Sequence, residues 1–239
     1  MLAEVKKATG ELLGGSILEP HSEYRATIGA LGIVLPPAVW IGTWSMESSI
    51  SAYYYTGARD WFVGTLWVIG VFLFFYKYTP GGATDAKSHP QVVRSRWADA
   101  DAILGKIAGA AAVVVALAPT TPPLGPGDEP PIIGMVHGIA ALVLFGTLSL
   151  FPLVLFSQSR ERAGLYKASG RLMLALLALI IVYARGPESM RQALAPLRPV
   201  FFLEWALIWT FGFSWFVKGL KPASAGSAQP AAVQGSAVG

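Results

Sequence analysis

Six apolar stretches, each close to the length that crosses the hydrocarbon core of a bilayer, dominate this sequence. They occupy residues 26–45, 60–78, 102–118, 131–157, 168–184 and 199–217. A helix rises 1.5 Å per residue, so about 20 apolar residues span that core. Hydrophobic residues make up 54% of the chain and charged residues only 13%, about half the charged share of a soluble domain. The sequence therefore predicts an all-α, polytopic transmembrane bundle of six helices.

These stretches divide the chain of 239 residues into three parts. We expect an N-terminal segment over residues 1–25, a transmembrane domain over 26–218 and a C-terminal tail over 219–239. The N-terminal segment mixes charged and apolar residues without the continuous apolar run of a signal peptide, so we expect it to be retained. The tail is rich in small residues and has nothing to bury, which predicts disorder.

The distribution of lysine and arginine predicts the orientation. Assigned to alternate sides of six spans, 13 of these residues fall on the side that holds both termini and four on the other side, while Lys106 lies inside the third stretch. Cytoplasmic connections of membrane proteins carry the excess of positive charge. We therefore expect both termini to be cytoplasmic.

Several classes of function are disfavoured by composition. The chain has no cysteine, which removes disulfides and thiolate metal sites, and His137 is the only histidine in any apolar stretch. We therefore expect no metal and no other cofactor. The formal net charge of +4 comes from dispersed residues and not from a basic stripe, so nucleic acid is not an expected partner.

Prolines and glycines inside the stretches predict how the helices pack. Pro36 and Pro37 remove two backbone donors from the first span, which predicts a kink. The pairs Gly105/Gly109 and Gly134/Gly138 have the spacing that lets two membrane helices approach closely.

A polar site is predicted near the extracytoplasmic end of the spans. The stretch SISAYYYTGARDWFVG, residues 49–64, places hydroxyls and charges just before the second span. Counted along the helices, His137 and Glu204 lie about 9 Å and about 7–8 Å below that end. A carboxylate facing lipid at that depth is costly, so Glu204 is expected to face the bundle interior or a partner. The predicted ligand-binding residues are Ser51, Tyr54, Arg59, Asp60, His137 and Glu204.

A structural interpretation of the same residues remains open. Glu204 and His137 can act as clamps between helices without a ligand, and Asp60 is also typical of a residue that stabilises a helix N-terminus. The tyrosines together with neighbouring tryptophans are typical of the aromatic belt at a membrane interface.

Three runs of the sequence resemble those of a known group. SISAYYYTGARDWFVG, the GVFLFFYKY that follows it and the ending EWALIWTFGFSWFVKG are similar to those of a family of uncharacterised bacterial six-span membrane proteins, itself distantly similar to the DRAM/Sfk group. The resemblance covers the first, second and last spans. It implies a six-helix bundle in the bacterial cytoplasmic (inner) membrane and brings no established activity and no catalytic residues.

Three functions are compatible with these features. The first is binding of a lipid or a small polar ligand at an outward-facing pocket, or service as an accessory subunit of a membrane complex, with membrane lipids, other subunits or a second copy as partners. The second is an intramembrane hydrolase acting on lipids, since Ser51, Asp60 and His137 occur in the order of ceramidase-like enzymes, although a zinc site would need more histidines. The third is a small transporter, although only the first span has the interruption typical of one.

Overall fold

The computed structural model describes residues 20–76, 96–122, 131–158 and 162–220, and these contain helices and no strand. Seven α-helices follow in order: α1 (Pro20–Thr43), α2 (Arg59–Phe74), α3 (Arg96–Leu117), α4 (Ile132–Leu150), α5 (Ala163–Arg185), α6 (Glu188–Leu194) and α7 (Pro199–Gly219). A π-helical turn and a short 3-10 helix extend α4 to Gln158. Within the described residues the all-α prediction is confirmed.

Five of these helices are long and apolar enough to cross a membrane, as in a multi-pass membrane protein. The candidate segments are Ser22–Thr43, Ala100–Leu117, Ile132–Gln158, Ala163–Arg185 and Pro199–Gly219. Helix α2 has 16 residues, about 24 Å at 1.5 Å each, and is shorter than the predicted span over 60–78. Helix α2 is therefore too short to be identified as a membrane span by length, unlike the other five helices.

The six long helices form a closed ring. Going round it, α1 packs against α2, α2 against α3, α3 against α4, α4 against α5, α5 against α7 and α7 against α1. We call the end where α1, α3 and α5 finish and α2, α4 and α7 begin the site end. The short helix α6 lies in the connection from α5 to α7 at that end.

Glycines set the closest crossings in the ring. A Cβ atom on Gly212 of α7 would lie 2.8 Å from the carbonyl oxygen of Gly29 on α1, so only glycine allows these two backbones to meet. The predicted close approach at Gly105/Gly109 is confirmed, because a Cβ on Gly109 would lie 2.6 Å from the carbonyl oxygen of Gly70 on α2. At Gly138 the prediction is wrong, since nothing lies within 4 Å of its Cβ position.

The two prolines of the first span lie inside α1, and the helix continues through them. Because Pro37 has no N–H, the carbonyl oxygen of Ile33 lacks its usual donor one turn later. The indole N–H of Trp209 on α7 donates to that oxygen at 2.9 Å. A neighbouring helix thus satisfies a backbone group that lipid could not, which is how proline is tolerated in a membrane helix.

The predicted boundaries of the domain differ from the structure at one end. Helix α1 begins at Pro20, six residues before the predicted start at 26, and α7 ends at Gly219. Most of the predicted N-terminal segment and nearly all of the tail over 219–239 lie outside the described residues.

Candidate functional site

The connection between α1 and α2 dips into the site end of the bundle. Its centre is a 3-10 helix over Ser51–Tyr55. Ile50 and Tyr53 are both 0% exposed, so this polar stretch is not a loop lying on the surface. Backbone outside α-helices can be buried in a membrane bundle only when its N–H and C=O groups find partners in the protein.

Glu204 supplies that partner at the start of the 3-10 helix. Its Oε2 atom accepts hydrogen bonds from the backbone N–H groups of Ile50, at 2.7 Å, and Ser51, at 3.3 Å. The first N–H groups of a helical turn have no partner within the turn, and a carboxylate suits both their hydrogen bonds and their dipole. Glu204 on α7 therefore anchors the connection between α1 and α2 within the bundle.

Two tyrosines of this stretch fasten it further. The Tyr53 hydroxyl donates to the carbonyl oxygen of Ser45 at 2.6 Å, and the Tyr55 hydroxyl donates to that of Thr120 at 2.6 Å. Burial raises the pKa of both phenols above the ordinary tyrosine value. Both hydroxyls therefore keep the proton that these hydrogen bonds need at neutral pH.

His137 joins α4 to the end of α3. Its Nδ1 atom lies 2.7 Å from the carbonyl oxygen of Ala118. Because a carbonyl oxygen only accepts, Nδ1 carries a proton and donates in this bond. The carbonyls at the end of a helix have no N–H partner within it, so His137 satisfies one that α3 leaves open.

A cavity of about 380 Å³ lies at the site end between α4, α5 and α7. Most of its lining is aliphatic or aromatic, from Ile139, Leu142 and Phe145 on α4 and from Leu177 and Ile180 on α5. The polar side chains on its wall are those of Ser51, Thr120, His137, Arg185 and Glu204. An apolar cavity of a few hundred Å³ with a few polar groups is the usual form of a small-molecule site.

A narrow crevice adjoins this cavity towards the middle of the bundle. The two share Ser51, Ala141, Phe145 and Glu204, and the crevice continues between apolar side chains such as Leu66 and Leu148. Its volume of about 40 Å³ is about a tenth of the 380 Å³ of the cavity. A bulky ligand therefore fits only the outer cavity.

Three of the six predicted site residues come together and three do not. Ser51, His137 and Glu204 line the cavity. Arg59, Tyr54 and Asp60 are absent from its wall, which corrects the expected convergence of Asp60 with His137 and Glu204. The reason is the order of the helices in the ring, because Asp60 lies on α2, which packs against α1 and α3, whereas the cavity lies between α4, α5 and α7. Depth along a helix can be counted from sequence, but packing decides which helices are neighbours.

Two of the three residues outside the cavity contact each other. The Arg59 guanidinium lies 4.6 Å from the centre of the Tyr54 ring and donates to the Tyr54 hydroxyl at 3.0 Å. Arg59 therefore stacks on a tyrosine instead of pairing with Asp60. Asp60 is exposed in the first turn of α2, where a negative side chain interacts favourably with the helix dipole.

Sequence reasoning missed Arg185 and Thr120. Arg185 is the last residue of α5 and entered the sequence analysis only as a charge that sets orientation. Its position in the sequence could have identified it. Arg185 directly follows the apolar residues of α5 and therefore lies at the same end of the bundle as His137 and Glu204.

No group of three or more histidine, aspartate or glutamate side chains able to hold a metal occurs in the described parts of the chain. Comparisons with protein-family models, with curated proteins and with solved structures find no match to this chain. The similarity to bacterial six-span proteins and to the DRAM/Sfk group therefore remains a prediction.

Proposed function

We propose that this protein binds a membrane lipid in the cavity between α4, α5 and α7. The observation that carries this proposal is the cavity itself, which joins an apolar wall to polar side chains at its site end. An amphipathic molecule needs both surfaces, because its chain gains free energy in the apolar part and its headgroup needs hydrogen-bond partners. Membrane lipids are the amphipathic molecules available to a multi-pass protein.

Arg185 and Ser51 are the residues proposed to contact the headgroup. Arginine is always charged and presents a fork of N–H donors that matches phosphate and carboxylate oxygens. Glu204 offers less to a ligand, because its Oε2 atom already accepts from two backbone N–H groups. The proposed headgroup is therefore one with a phosphate or carboxylate directed at Arg185.

The first prediction tests this contact by native mass spectrometry. Delipidated protein mixed with phosphatidylglycerol should retain one lipid, and Arg185→Ala should weaken retention roughly tenfold, the equivalent of about 1.4 kcal/mol. Arg171→Ala is the matched control, since Arg171 is an exposed arginine on the same helix but outside the cavity wall. Retention that is equal in the two variants, or absent from the parent protein, contradicts the proposal.

We also propose that α2 is a sixth span and that the bundle lies in a bacterial cytoplasmic (inner) membrane with both termini in the cytoplasm. Support for the sixth span comes from the ring, in which α2 occupies a place between α1 and α3. Support for the orientation comes from the excess of lysine and arginine on the side of the termini. The cavity would then open towards the extracytoplasmic half of the bilayer.

The second prediction tests this orientation with single cysteines, which the parent chain lacks. A membrane-impermeant thiol reagent should label Ser48→Cys in intact cells, because Ser48 is exposed at the site end. Lys167→Cys, exposed near the start of α5 at the other end, should react only after permeabilisation. The reverse pattern would show that the orientation is inverted.

A further inference from the structure

A second group of buried polar side chains lies at the opposite end of the bundle from the cavity. Asp101 of α3 is 2% exposed, and neither of its carboxylate oxygens has a hydrogen-bond partner among the described residues. The indole nitrogen of Trp215 on α7 is likewise buried without an acceptor in that part of the chain. Buried polar atoms are nearly always hydrogen-bonded, to protein or to ordered water.

Tyr76, which follows α2, connects these groups. Its ring centre lies 5.4 Å from that of Trp215, and its hydroxyl accepts a hydrogen bond from Nε of Arg25 at 2.6 Å. Arg25 is also the cation that acts electrostatically on Asp101. One turn after Asp101, a Cβ on Gly105 would lie 3.6 Å from the carbonyl oxygen of Tyr76. Tyr76 therefore lies against Trp215 and Arg25, and the backbone of α3 passes beside it one turn after Asp101.

The hydrogen-bonding groups of Asp101 and Trp215 that lack a partner limit what can bind between them. The Asp101 carboxyl oxygens need hydrogen-bond partners, and the Trp215 indole N–H needs an acceptor. A metal cation would serve the carboxylate alone and would be repelled by Arg25. Water serves both groups and is small enough for a site packed by aromatic rings. The rings around Trp215 are those of Tyr76, Phe151, Phe156 and Phe211.

We infer that Asp101 and Trp215 hold bound water in a buried site between α1, α3 and α7. The water accepts from the indole N–H and donates to the carboxylate, and buried water commonly makes about three hydrogen bonds of this kind. The site is separate from the cavity at the site end, so it does not depend on the proposed lipid.

The third prediction tests the bound water by X-ray hydroxyl-radical footprinting of the full chain, in which radicals form from water where it is bound. Tyr76 is 4% exposed and should nevertheless be oxidised several times faster than Tyr53, a tyrosine that is 0% exposed. In Asp101→Leu the rate at Tyr76 should fall to that of Tyr53. Asp101→Asn is the control, because its amide keeps a donor and an acceptor for water and should retain the fast rate.

Two results would overturn the inference. One is equal oxidation of Tyr76 and Tyr53 in the parent protein, which would mean that no water lies beside Tyr76. The other concerns Trp215→Phe, which keeps an aromatic ring and removes only the indole N–H. This variant should lower the rate at Tyr76 at least about twofold, since water without one of its hydrogen bonds is held less often; an unchanged rate removes Trp215 from the site. It also provides a test if Asp101→Leu fails to fold.

Discussion

Replacing Glu204 with alanine will release the connection between α1 and α2 from the bundle. The backbone N–H groups of Ile50 and Ser51 would lose their shared acceptor. A hydrogen bond of this kind contributes about 0.5–1.5 kcal/mol, and a buried donor left without a partner costs about 1–3 kcal/mol. We therefore expect a loss of roughly 3 kcal/mol in the free energy that holds this connection in place.

Alkylation of an introduced cysteine measures this release. In an Ile50→Cys background, position 50 starts fully buried, and Glu204→Ala should raise its reaction rate with a maleimide on the order of 100-fold, since 1.4 kcal/mol is a factor of ten. Glu204→Gln keeps one oxygen acceptor and should give a smaller increase. Ala112→Cys, buried on α3, should react equally slowly with and without Glu204→Ala.

A carboxylate of the connection itself, Glu47, provides the control. Glu47 is half-buried, and it accepts a hydrogen bond from the Ser45 hydroxyl at 2.9 Å at the surface. Because exposed substitutions usually change stability by less than about 0.5 kcal/mol, Glu47→Ala should leave alkylation at position 50 nearly unchanged. If Glu204→Ala behaves like Glu47→Ala, Glu204 does not anchor the connection.

Filling the cavity from α4 should abolish retention of lipid. Gly138 lies on the cavity wall, and nothing approaches its Cβ position within 4 Å. The ring in Gly138→Phe can therefore occupy the cavity without displacing a neighbouring helix. The thermal midpoint should not fall, because glycine inside a helix is less favourable than most other residues by several tenths of a kcal/mol or more. Native mass spectrometry with phosphatidylglycerol should detect no bound lipid.

Gly146→Phe distinguishes occupation of the cavity from a general effect of a large ring on α4. Gly146 lies two turns further along the same helix, also has open space at its Cβ position and is not part of the cavity wall. This variant should retain lipid as the parent protein does. Equal retention in Gly138→Phe and Gly146→Phe would place the lipid outside the cavity, whereas equal loss would point to a lipid on the outer surface of α4.

Part of the candidate site could be predicted because depth in a membrane helix is a matter of counting. His137 and Glu204 were expected near one end of their spans, and both line the cavity there. Asp60 was expected beside them, yet it is exposed on the first turn of α2. The difference lies in the arrangement of the helices, because α2 packs between α1 and α3 and the cavity lies between α4, α5 and α7. Almost uniformly apolar helices do not encode which of them become neighbours.

The buried polar group at the other end shows the same limit. Asp101 looks in the sequence like an acidic residue in the first turns of a helix, where exposure to the interface is usual. The structure buries it on α3, where glycines at 105 and 109 bring the backbone of that helix against that of α2. The residues of α2 that meet these glycines are more than 20 positions earlier in the chain than Asp101.

By itself the sequence determined the class of this protein, a helical chain with long apolar segments. The free energy of moving each residue from water to hydrocarbon is nearly independent of the other residues. The preference of a segment for the membrane is therefore a sum along the sequence. Which polar groups meet was decided only by the packed ring, where a carboxylate on α7 serves backbone N–H groups more than 150 residues earlier. Such pairings depend on the rotation and close approach of several helices at once, because each helix finds its orientation only against the surfaces of its neighbours.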